Sequence, residues 1–364
     1  MLKFHPLPVR AIEPNAEDAV RVTLDVPPAL QPEFRAAAGQ HVVVRATLDG
    51  DEVRRTYSVT GRSGDMPLTL GVRVHPHGRL SSHIAKHLKP GDSIDVMPPN
   101  GSFGAVLSDA AIKGAGTYVA FAAGCGITPV LSIVRTLLET SPGSSVLLFY
   151  GNRHGARTMF LEDVQALKDR YASRLALHFV MSDEPQDAEL LNGRIDAGKV
   201  ASAAGALFDA KTVTAFFICG PGSMIEDVSS ALRALGVDAS RIHSEHFTLE
   251  AVAASAAPTV VSRTHESTAA GMAEVTVLMD GRRRSFTMPV GGPTLLEAAS
   301  NAGIDLPYSC RAGVCSTCRT KLARGEVEMD QNFALEDWEL ERGFILACQA
   351  HPTTPEIELD YDER

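Results

Sequence analysis

The sequence predicts a multidomain chain: an antiparallel β-barrel, then an α/β domain on a parallel sheet, then a small α+β domain. Three observations carry this. Residues 1–110 read as short strands broken by turn signals, and 111–248 as continuous apolar strands alternating with helices. A stretch without periodicity follows, and then a second β start. At 364 residues there is room for two or three domains.

In the first domain, 41–48 is rich in β-branched residues, Asp49-Gly50 is a hairpin signal and 53–60 is the returning strand. Strands at 68–75 and 94–97 continue the barrel pattern, with a short helix over 81–88 that ends before Pro90-Gly91. From Thr117 the period changes. An apolar run at 118–123 leads into Gly124-Cys125-Gly126-Ile127-Thr128-Pro129 and a helix over 130–138. Buried strands are expected at 146–150, 175–181 and 214–219, and a last helix, about 223–235, stops at Gly236. Residues 249–271, rich in Ala, Ser and Thr, read as a linker. Within 272–364, a strand at 274–279, the hairpin signal Asp280-Gly281, a strand at 285–290 and a helix near 295–302 lead into a cysteine loop. The chain carries no internal repeat.

Composition narrows the function. A 45% hydrophobic and 21% charged content is ordinary for globular domains. Residues 1–10 hold no apolar signal core, and no window approaches eighteen uninterrupted apolar residues, so the expectation is a cytoplasmic protein with no membrane role. The net charge of −10 argues against nucleic acid as a partner and for solubility or a basic docking partner. Between Arg324 and Arg364 stand twelve acidic residues and three arginines, enough to steer a basic docking face at low salt, though an acidic run is more often just a solvated surface; Arg311, Arg319 and Lys321, nearer the cysteine loop, are equal candidates for docking.

Cys310, Cys315 and Cys318, answered by Cys348, have the C-x4-C-x2-C…C ligand spacing of a plant-type [2Fe–2S] cluster. Gly313 permits tight turning, and small Ala312, Ser316 and Thr317 leave backbone N–H groups free to face sulfur. Zinc is the alternative, although zinc sites more often repeat C-x2-C or add histidines. A disulfide framework fits poorly with so long a chain, and Cys125 and Cys219, inside apolar runs, are expected as reduced thiols.

Two further motifs suggest where a cluster would draw electrons. Arg55-Thr56-Tyr57-Ser58 lies on the second hairpin strand, where alternation sends Arg55 and Tyr57 to one face, a cation beside an aromatic ring against a planar anionic ligand. Downstream, Gly78-Arg79-Leu80-Ser81-Ser82 opens a helix whose first N–H groups suit a pyrophosphate. Each signal alone is also ordinary: cross-strand packing for the first, an N-cap for the second. The glycines of 124–129 likewise let backbone approach a pyrophosphate ahead of a helix beginning near Pro129, yet Pro129 breaks the usual G-x-G-x-x-G fingerprint.

Arg55-Thr56-Tyr57-Ser58, Gly124 to Pro129 and Cys219-Gly220-Pro221-Gly222, in that order, resemble the ferredoxin–NADP reductase superfamily, here with a plant-type ferredoxin of β-grasp fold at the C-terminus. More narrowly, Tyr150-Gly151-Asn152-Arg153, Asn192-Gly193-Arg194-Ile195-Asp196 and the run from Asp305 to Gln349 are similar to the reductases that serve phenylacetyl-CoA epoxidases. The resemblance implies that Arg55, Thr56, Tyr57 and Ser58 hold FAD, Tyr57 against the isoalloxazine and Ser58 near its N5, with Leu80, Ser81 and Ser82 at the pyrophosphate. It implies that Gly124, Gly126, Ile127, Thr128 and Pro129 form the nicotinamide nucleotide's turn, that Cys219, Gly220 and Pro221 lie by the nicotinamide, and that Glu245 and Phe247 close the site. A buried strand cysteine and a solvated acid are the plain alternatives for Cys219 and Glu245.

Arg153 is placed to pair with a 2′-phosphate and Ser182 to add a hydrogen bond, which favours NADPH; Asp183, a carboxylate where a base would suit the phosphate, favours NADH. A nicotinamide gives two electrons as a hydride and a [2Fe–2S] cluster takes one, so a flavin must stand between them. The expected enzyme is an iron–sulfur flavoprotein that passes electrons from NADPH through FAD and the cluster to a terminal oxygenase, by resemblance the di-iron epoxidase, while the linker lets the ferredoxin domain move between flavin and partner. A reductase for another oxygenase or demethylase using NADH, and a non-catalytic zinc-binding redox sensor or scaffold, are the alternatives.

Overall fold

The structure, a computed structural model, describes residues 3–107, 114–247, 259–263 and 271–363. It forms two compact units, one of which holds Phe4–Phe247. Both outer boundaries expected for the α/β domain, near 110 and 248, fall outside the described residues.

Within Phe4–Phe247 the first sheet comprises β1 (His5–Ala16), β2 (Ala19–Leu24), β3 (His41–Leu48), β4 (Asp51–Ser58), β5 (Leu68–Arg73) and β6 (Ser93–Val96). Their order is β4-β3-β6-β1-β2-β5, every pairing is antiparallel, and a bridge between Val59 and Leu70 joins the two edges into a barrel. Leu7, Leu24, Phe34 and Leu68 fill the interior without exposure. Asp49 and Gly50 both take left-handed conformations, φ 54° and 87°, as a two-residue hairpin turn requires. That turn sets the register from Leu48↔Asp51 to His41↔Ser58, which puts Ser58 directly across from His41. Helix α1 (Arg79–Lys86) starts two residues before the expected position, with Gly78 as N-cap.

The second sheet holds β7 (Thr117–Ala123), β8 (Ser145–Asn152), β9 (Leu175–Met181), β10 (Ala215–Gly220) and β11 (Ile242–His246), all parallel, in the order β11-β10-β7-β8-β9. Helices α2 (Ile127–Thr140), α3 (Leu161–Arg170), α4 (Ala197–Ala203) and α5 (Gly222–Ala234) complete the domain. Two separate cores form, one with α2 and α3 residues and one with α4 and α5 residues. Burial on both faces is why these strands are apolar throughout. Helix α2 begins at Ile127, earlier than the expected start near Pro129; proline is tolerated in a first turn, where its missing N–H is not needed.

The barrel and the α/β domain are tied by two shared carboxylates. Asp163 on α3 pairs with both Arg21 of β2 and Arg135 of α2, and Asp18 pairs with Arg157 and, at 2.7 Å, with Arg73. Each acid is largely buried and bidentate, so the two domains meet in one orientation.

The C-terminal unit contains β12 (Thr259–Arg263), β13 (Met272–Met279), β14 (Arg282–Pro289), α6 (Leu295–Asn301), β15 (Arg319–Met329), α7 (Asp337–Glu341), β16 (Phe344–Leu346), β17 (Ala350–Pro352) and β18 (Glu356–Asp360). The sheet runs β12-β15-β18-β13-β14, with β16 and β17 also on β15, and β13 and β18 are parallel neighbours inside an otherwise antiparallel sheet. Asp280 and Gly281 form the expected turn, φ 53° and 67°. Thr294 caps α6 by accepting from Glu297 N–H. The expected linker over 249–271 is corrected in part: Thr259–Arg263 pairs antiparallel with β15 from Thr259↔Met329 to Arg263↔Gly325. The strand was illegible because its five residues have no apolar partner pattern of their own. The rest of that stretch, Ala251 to Ala257 included, lies outside the described residues.

Candidate active site and metal centre

The C-terminal ends of β7 and β10 meet where an open α/β sheet binds ligands. Gly124 leaves β7 with φ 55°, and Tyr150 holds the turn by donating its hydroxyl to Gly124 O (3.2 Å) and Met159 O (3.0 Å). Gly126 is pressed against β10: a Cβ there would stand 2.1 Å from the carbonyl oxygen of Cys219. Thr128 donates to Cys125 O at 2.9 Å, and Ile127, Thr128 and Pro129 are buried in the first turn of α2. This turn therefore presents backbone to a ligand, not side chains. Gly220 and Pro221 follow as the entry to α5, with Pro221 as its N-cap.

Cys219, the penultimate residue of β10, is in register with Ala122 of β7 and Glu245 of β11. It has no exposure, and burial first, then the Glu245 carboxylate, holds its thiol well above the usual range, so it stands as a neutral S–H. Glu245 is not the solvated acid of the plain alternative. Its side chain is only 12% exposed, and Oε1 lies 3.5 Å from Nδ1 of His41 in the barrel. Phe247 packs against the core that contains Cys219.

On the barrel side, Ser58 is buried and its hydroxyl has no hydrogen-bond partner among the described residues. Tyr57 is half-buried; burial pushes its phenol up, and nearby Arg55 opposes this, consistent with both residues on one face of β4. Arg55 is exposed, its guanidinium folded onto Arg54 O at 2.7 Å, and Thr56 is half-buried. Leu80, the second residue of α1, is buried, and Ser81, the third helical residue, donates to Gly78 O while accepting from His75 N–H. The N–H of Ser82 already bonds Gly78 O, so only the residues before Ser82 offer free helix-start donors, a correction that follows from the earlier start.

The structure thus brings Ser58, Cys219 and Glu245 around one point and adds His41, which sequence reasoning passes over. His41 is buried, both ring nitrogens lack a hydrogen-bond partner among the described residues, and Gly101 closes over the ring so tightly that a Cβ would sit 3.0 Å from Nδ1. A histidine opening an apolar strand was the available signal.

In the C-terminal unit, Cys315, Cys318 and Cys348 are buried and Cys310 is half-buried. No disulfide joins any of the six cysteines. Cys310 is close enough to Cys315 and Cys348 for sulfur hydrogen bonds, and Cys348 to Cys318. Arg311, Gly313 and Ser316 all have positive φ, 56°, 71° and 48°, which curls the loop so that N–H groups turn inward. Ala312 N–H lies 3.3 Å from Cys310 Sγ and Cys310 N–H lies 3.5 Å from Cys315 Sγ. Gln349 clamps the loop to the returning strand by donating to Arg311 O (3.1 Å) and Cys348 O (2.8 Å). As bare thiols Cys310 and Cys348 resist ionisation: at Cys348 the contact with Cys310 lowers the value, but Cys318 and burial outweigh it. Four converging sulfurs with inward N–H donors suit an anionic cluster, whose irons supply the missing positive charge.

Residues 6–104 match the family described as the oxidoreductase FAD-binding domain, 121–230 the oxidoreductase NAD-binding domain, and 277–353 the 2Fe-2S iron-sulfur cluster binding domain. One of the component chains of 1,2-phenylacetyl-CoA epoxidase from Escherichia coli (strain K12) is 39% identical, over 100% of this chain and 99% of its own. The ferredoxin reductase component of 3-ketosteroid-9-alpha-monooxygenase from Rhodococcus rhodochrous is 31% identical over 98% and 96%. The chain belongs to the ferredoxin–NADP reductase superfamily. The fold agrees: the solved phthalate dioxygenase reductase, described as modular for electron transfer from pyridine nucleotides to [2Fe–2S], superposes with a TM-score of 0.57 over 98% of each chain at 24% identity.

The protein is therefore an oxidoreductase of this superfamily that moves electrons from a pyridine nucleotide through FAD to a [2Fe–2S] centre. The zinc scaffold gives way to it. The residues fit the groups: an unpartnered buried hydroxyl at Ser58, a backbone turn at Gly124 and Gly126, and four sulfurs in a curled loop. No described helix is long and apolar enough to cross a membrane.

At the far end of the nucleotide edge, Arg153 follows β8 and is exposed, with Asp183 N–H donating to its carbonyl at 2.8 Å. The hydroxyl of Ser182 is engaged, donating to Asp183 Oδ1 at 2.8 Å. The docking role expected of the acidic C-terminal run is weakened. Glu339 pairs with Arg319, Glu356 with Arg324, Glu358 with Arg283, Glu363 with Lys321 and Asp330 with His351, while Asp362 accepts from the Asp280-Gly281 turn. Acids that alternate along paired strands meet cross-strand cations, which the linear sequence does not show.

Proposed function

We propose that this protein is the reductase component of a multicomponent oxygenase and that its partner is a di-iron epoxidase acting on phenylacetyl-CoA. The observation that carries this is likeness over the whole chain, at 39% identity, to the component chain of that enzyme from Escherichia coli. In this reading FAD, when bound, supplies the exchange between the paired electrons of the nicotinamide and the single electrons of the cluster. Tyr57 covers the ring, Arg55, Thr56 and Ser58 orient it, and Leu80, Ser81 and Ser82 line the pyrophosphate. Gly124 and Gly126 admit the nicotinamide nucleotide, with Ile127, Thr128 and Pro129 fixing the turn. Cys219, Gly220 and Pro221 bound the nicotinamide pocket, with Glu245 and Phe247 at its rim. Cys310, Cys315, Cys318 and Cys348 hold the cluster. The domains are 1–110 for FAD, 111–248 for the nucleotide and 272–364 for the cluster, joined through 249–271. Six cysteines without a disulfide suit a cytoplasmic setting.

The nucleotide is NADPH in this reading, because Arg153 stands exposed with no ion pair among the described residues. A second reading, NADH, rests on the Ser182 hydroxyl being taken by Asp183, which leaves a carboxylate beside the place a 2′-phosphate would occupy. Arg153→Ala decides between them: it lowers the NADPH/NADH ratio of kcat/KM about 10-fold or more if Arg153 pairs with the phosphate, and an unchanged ratio refutes that role. The partner is tested by adding the reduced protein to purified epoxidase components with phenylacetyl-CoA. Formation of epoxide supports the assignment; ready cytochrome c reduction without epoxide directs the protein to another oxygenase.

A further inference from the structure

The core behind the cysteine loop holds two hydroxyls without partners. Thr320, on β15 two residues after Cys318, is buried, and its Oγ1 has no hydrogen-bond partner among the described residues. Tyr361, the residue after β18, packs against the apolar core that contains Cys318 and Cys348, and its hydroxyl oxygen is likewise buried without a partner. The two stand together. β15 and β18 pair antiparallel through Lys321↔Asp360 and Leu322↔Leu359, so one further step of that register sets Thr320 opposite Tyr361. Opposed residues project to the same side of a sheet, and here that side buries Leu322 and Leu359. Burial raises the Tyr361 phenol well above its usual range, and the charges at Cys318 and then Cys348 add to this, so the hydroxyl lies within electrostatic reach of both sulfurs. The segment that carries Tyr361 is anchored: its N–H donates to Leu278 O at 2.9 Å, Asp362 accepts from the N–H groups of Asp280 and Gly281 at 2.7 and 2.8 Å, and Glu363 pairs with Lys321 at 2.7 Å. A phenylalanine and a valine would fill these two places without the cost of buried, unpaired oxygens.

We propose that the hydroxyls of Tyr361 and Thr320 donate hydrogen bonds to the [2Fe–2S] centre on the side of its buried ligands, Cys318 and Cys348, and thereby raise its reduction potential. The proposal rests on the cluster ligands given under the proposed function. On the loop side, N–H groups lie 3.3 Å from Cys310 Sγ and 3.5 Å from Cys315 Sγ. On the inner side the two hydroxyls fill that role, together with the Gln349 amide, 3.6 Å from Cys348 Sγ. Reduction adds one electron and one unit of negative charge to the centre and moves no proton, so a hydroxyl that keeps its hydrogen stabilises the reduced form more than the oxidised one.

The test is a redox titration of the purified holoprotein, with the reduced cluster followed by its electron paramagnetic resonance signal and iron content measured alongside. Tyr361→Phe keeps the ring and removes only the hydroxyl. At a fixed solution potential its ratio of reduced to oxidised cluster falls about 10-fold, which for one electron lowers the midpoint by about 59 mV. Thr320→Val, of nearly the same shape, shifts the ratio in the same direction by about 3-fold and serves if the phenylalanine variant loses its cluster. Resonance Raman spectra give a second readout: the iron–sulfur stretching bands of wild type move on exchange into deuterated water, and Tyr361→Phe loses part of that movement. Full iron content with an unmoved or raised midpoint in either variant overturns the inference alone, as does an undiminished deuterium effect. Loss of iron from both variants makes the pair structural and overturns it likewise. Wild type that shows no iron–sulfur signal overturns the ligand assignment with it.

Discussion

Gly126→Ala isolates the close approach of the β7–α2 turn to β10, on which the proposed nucleotide site rests. Gly126 has φ −60° and ψ −12°, so alanine fits its backbone without strain, and the whole effect is steric. The added Cβ would lie 2.1 Å from Cys219 O, 2.4 Å from Cys219 C and 2.9 Å from Gly220 N. Bringing the first contact to 3.0 Å requires about 0.9 Å of separation between the β7–α2 turn and the end of β10. Overpacking of this size costs about 1–3 kcal/mol in stability, which a unit of this size tolerates. A displacement of about 1 Å between reacting groups costs on the order of 100-fold in rate. The expected result is full FAD content, a melting temperature lowered by a few degrees, and kcat/KM for NADPH-driven ferricyanide reduction reduced about 100-fold. Gly124→Ala is the contrast: its φ of 55° strains the alanine, but nothing lies within 4 Å of the new Cβ, so the loss in kcat/KM is smaller. If Gly126→Ala retains its flavin and works within about 3-fold of wild type, the approach of Gly126 to Cys219 does not set the site, and the reasoning fails.

Other perturbations test the scaffold and the metal centre. Asp163→Ala leaves Arg21 and Arg135 facing each other at the interdomain seam; breaking a buried pair costs about 3–5 kcal/mol, reduced to about 2 by the partial exposure of both arginines, so the flavin unit melts roughly 4–8 °C lower by calorimetry. At His351, burial lowers the ring's affinity for a proton, but Asp330 and the Gly292 carbonyl outweigh it and the net shift is upward. Its stabilisation is therefore fully present below about pH 6.5 and fades as the pH rises through the folded value. Asp330→Asn accordingly destabilises the C-terminal unit at about pH 5.5 and leaves denaturant midpoints at about pH 8.5 unchanged; equal losses at both would refute the pairing. If Cys348 holds the cluster as proposed, Cys348→Ser removes the iron–sulfur absorbance and electron paramagnetic resonance signal while NADPH still bleaches the flavin, since Cys348 lies in a separate unit from Cys219.

Much of the architecture was legible because it is written in local chemistry. Asp49-Gly50 and Asp280-Gly281 mark hairpins wherever they stand, since both positions need positive φ, and the strands on either side came out within two or three residues of their ends. The apolar runs of β7 to β10 needed only their lack of alternation. The errors share a cause. Helices α1 and α2 begin earlier than expected because Gly78 and Gly126 serve as N-caps without a side-chain cap to announce them. Strand β12 owes its form to β15, more than fifty residues away, and nothing within 249–271 signals that pairing.

By itself, the sequence determined the cysteine spacing, the glycine turn, the Arg-x-Tyr-Ser strand and the order of the three domains, all of them patterns whose meaning lies in spacing along the chain. Only the tertiary structure decided which buried polar groups lack partners and which charges are already paired. His41 meets Glu245 because β3 of one domain and β11 of the next arrive at one point, and five of the twelve acids in the C-terminal run are paired because the fold sets their carboxylates against arginine, lysine or histidine side chains. Burial and pairing are properties of positions in space: a side chain's neighbours across a sheet or a domain seam are set by register and packing, which residue order along one segment does not contain.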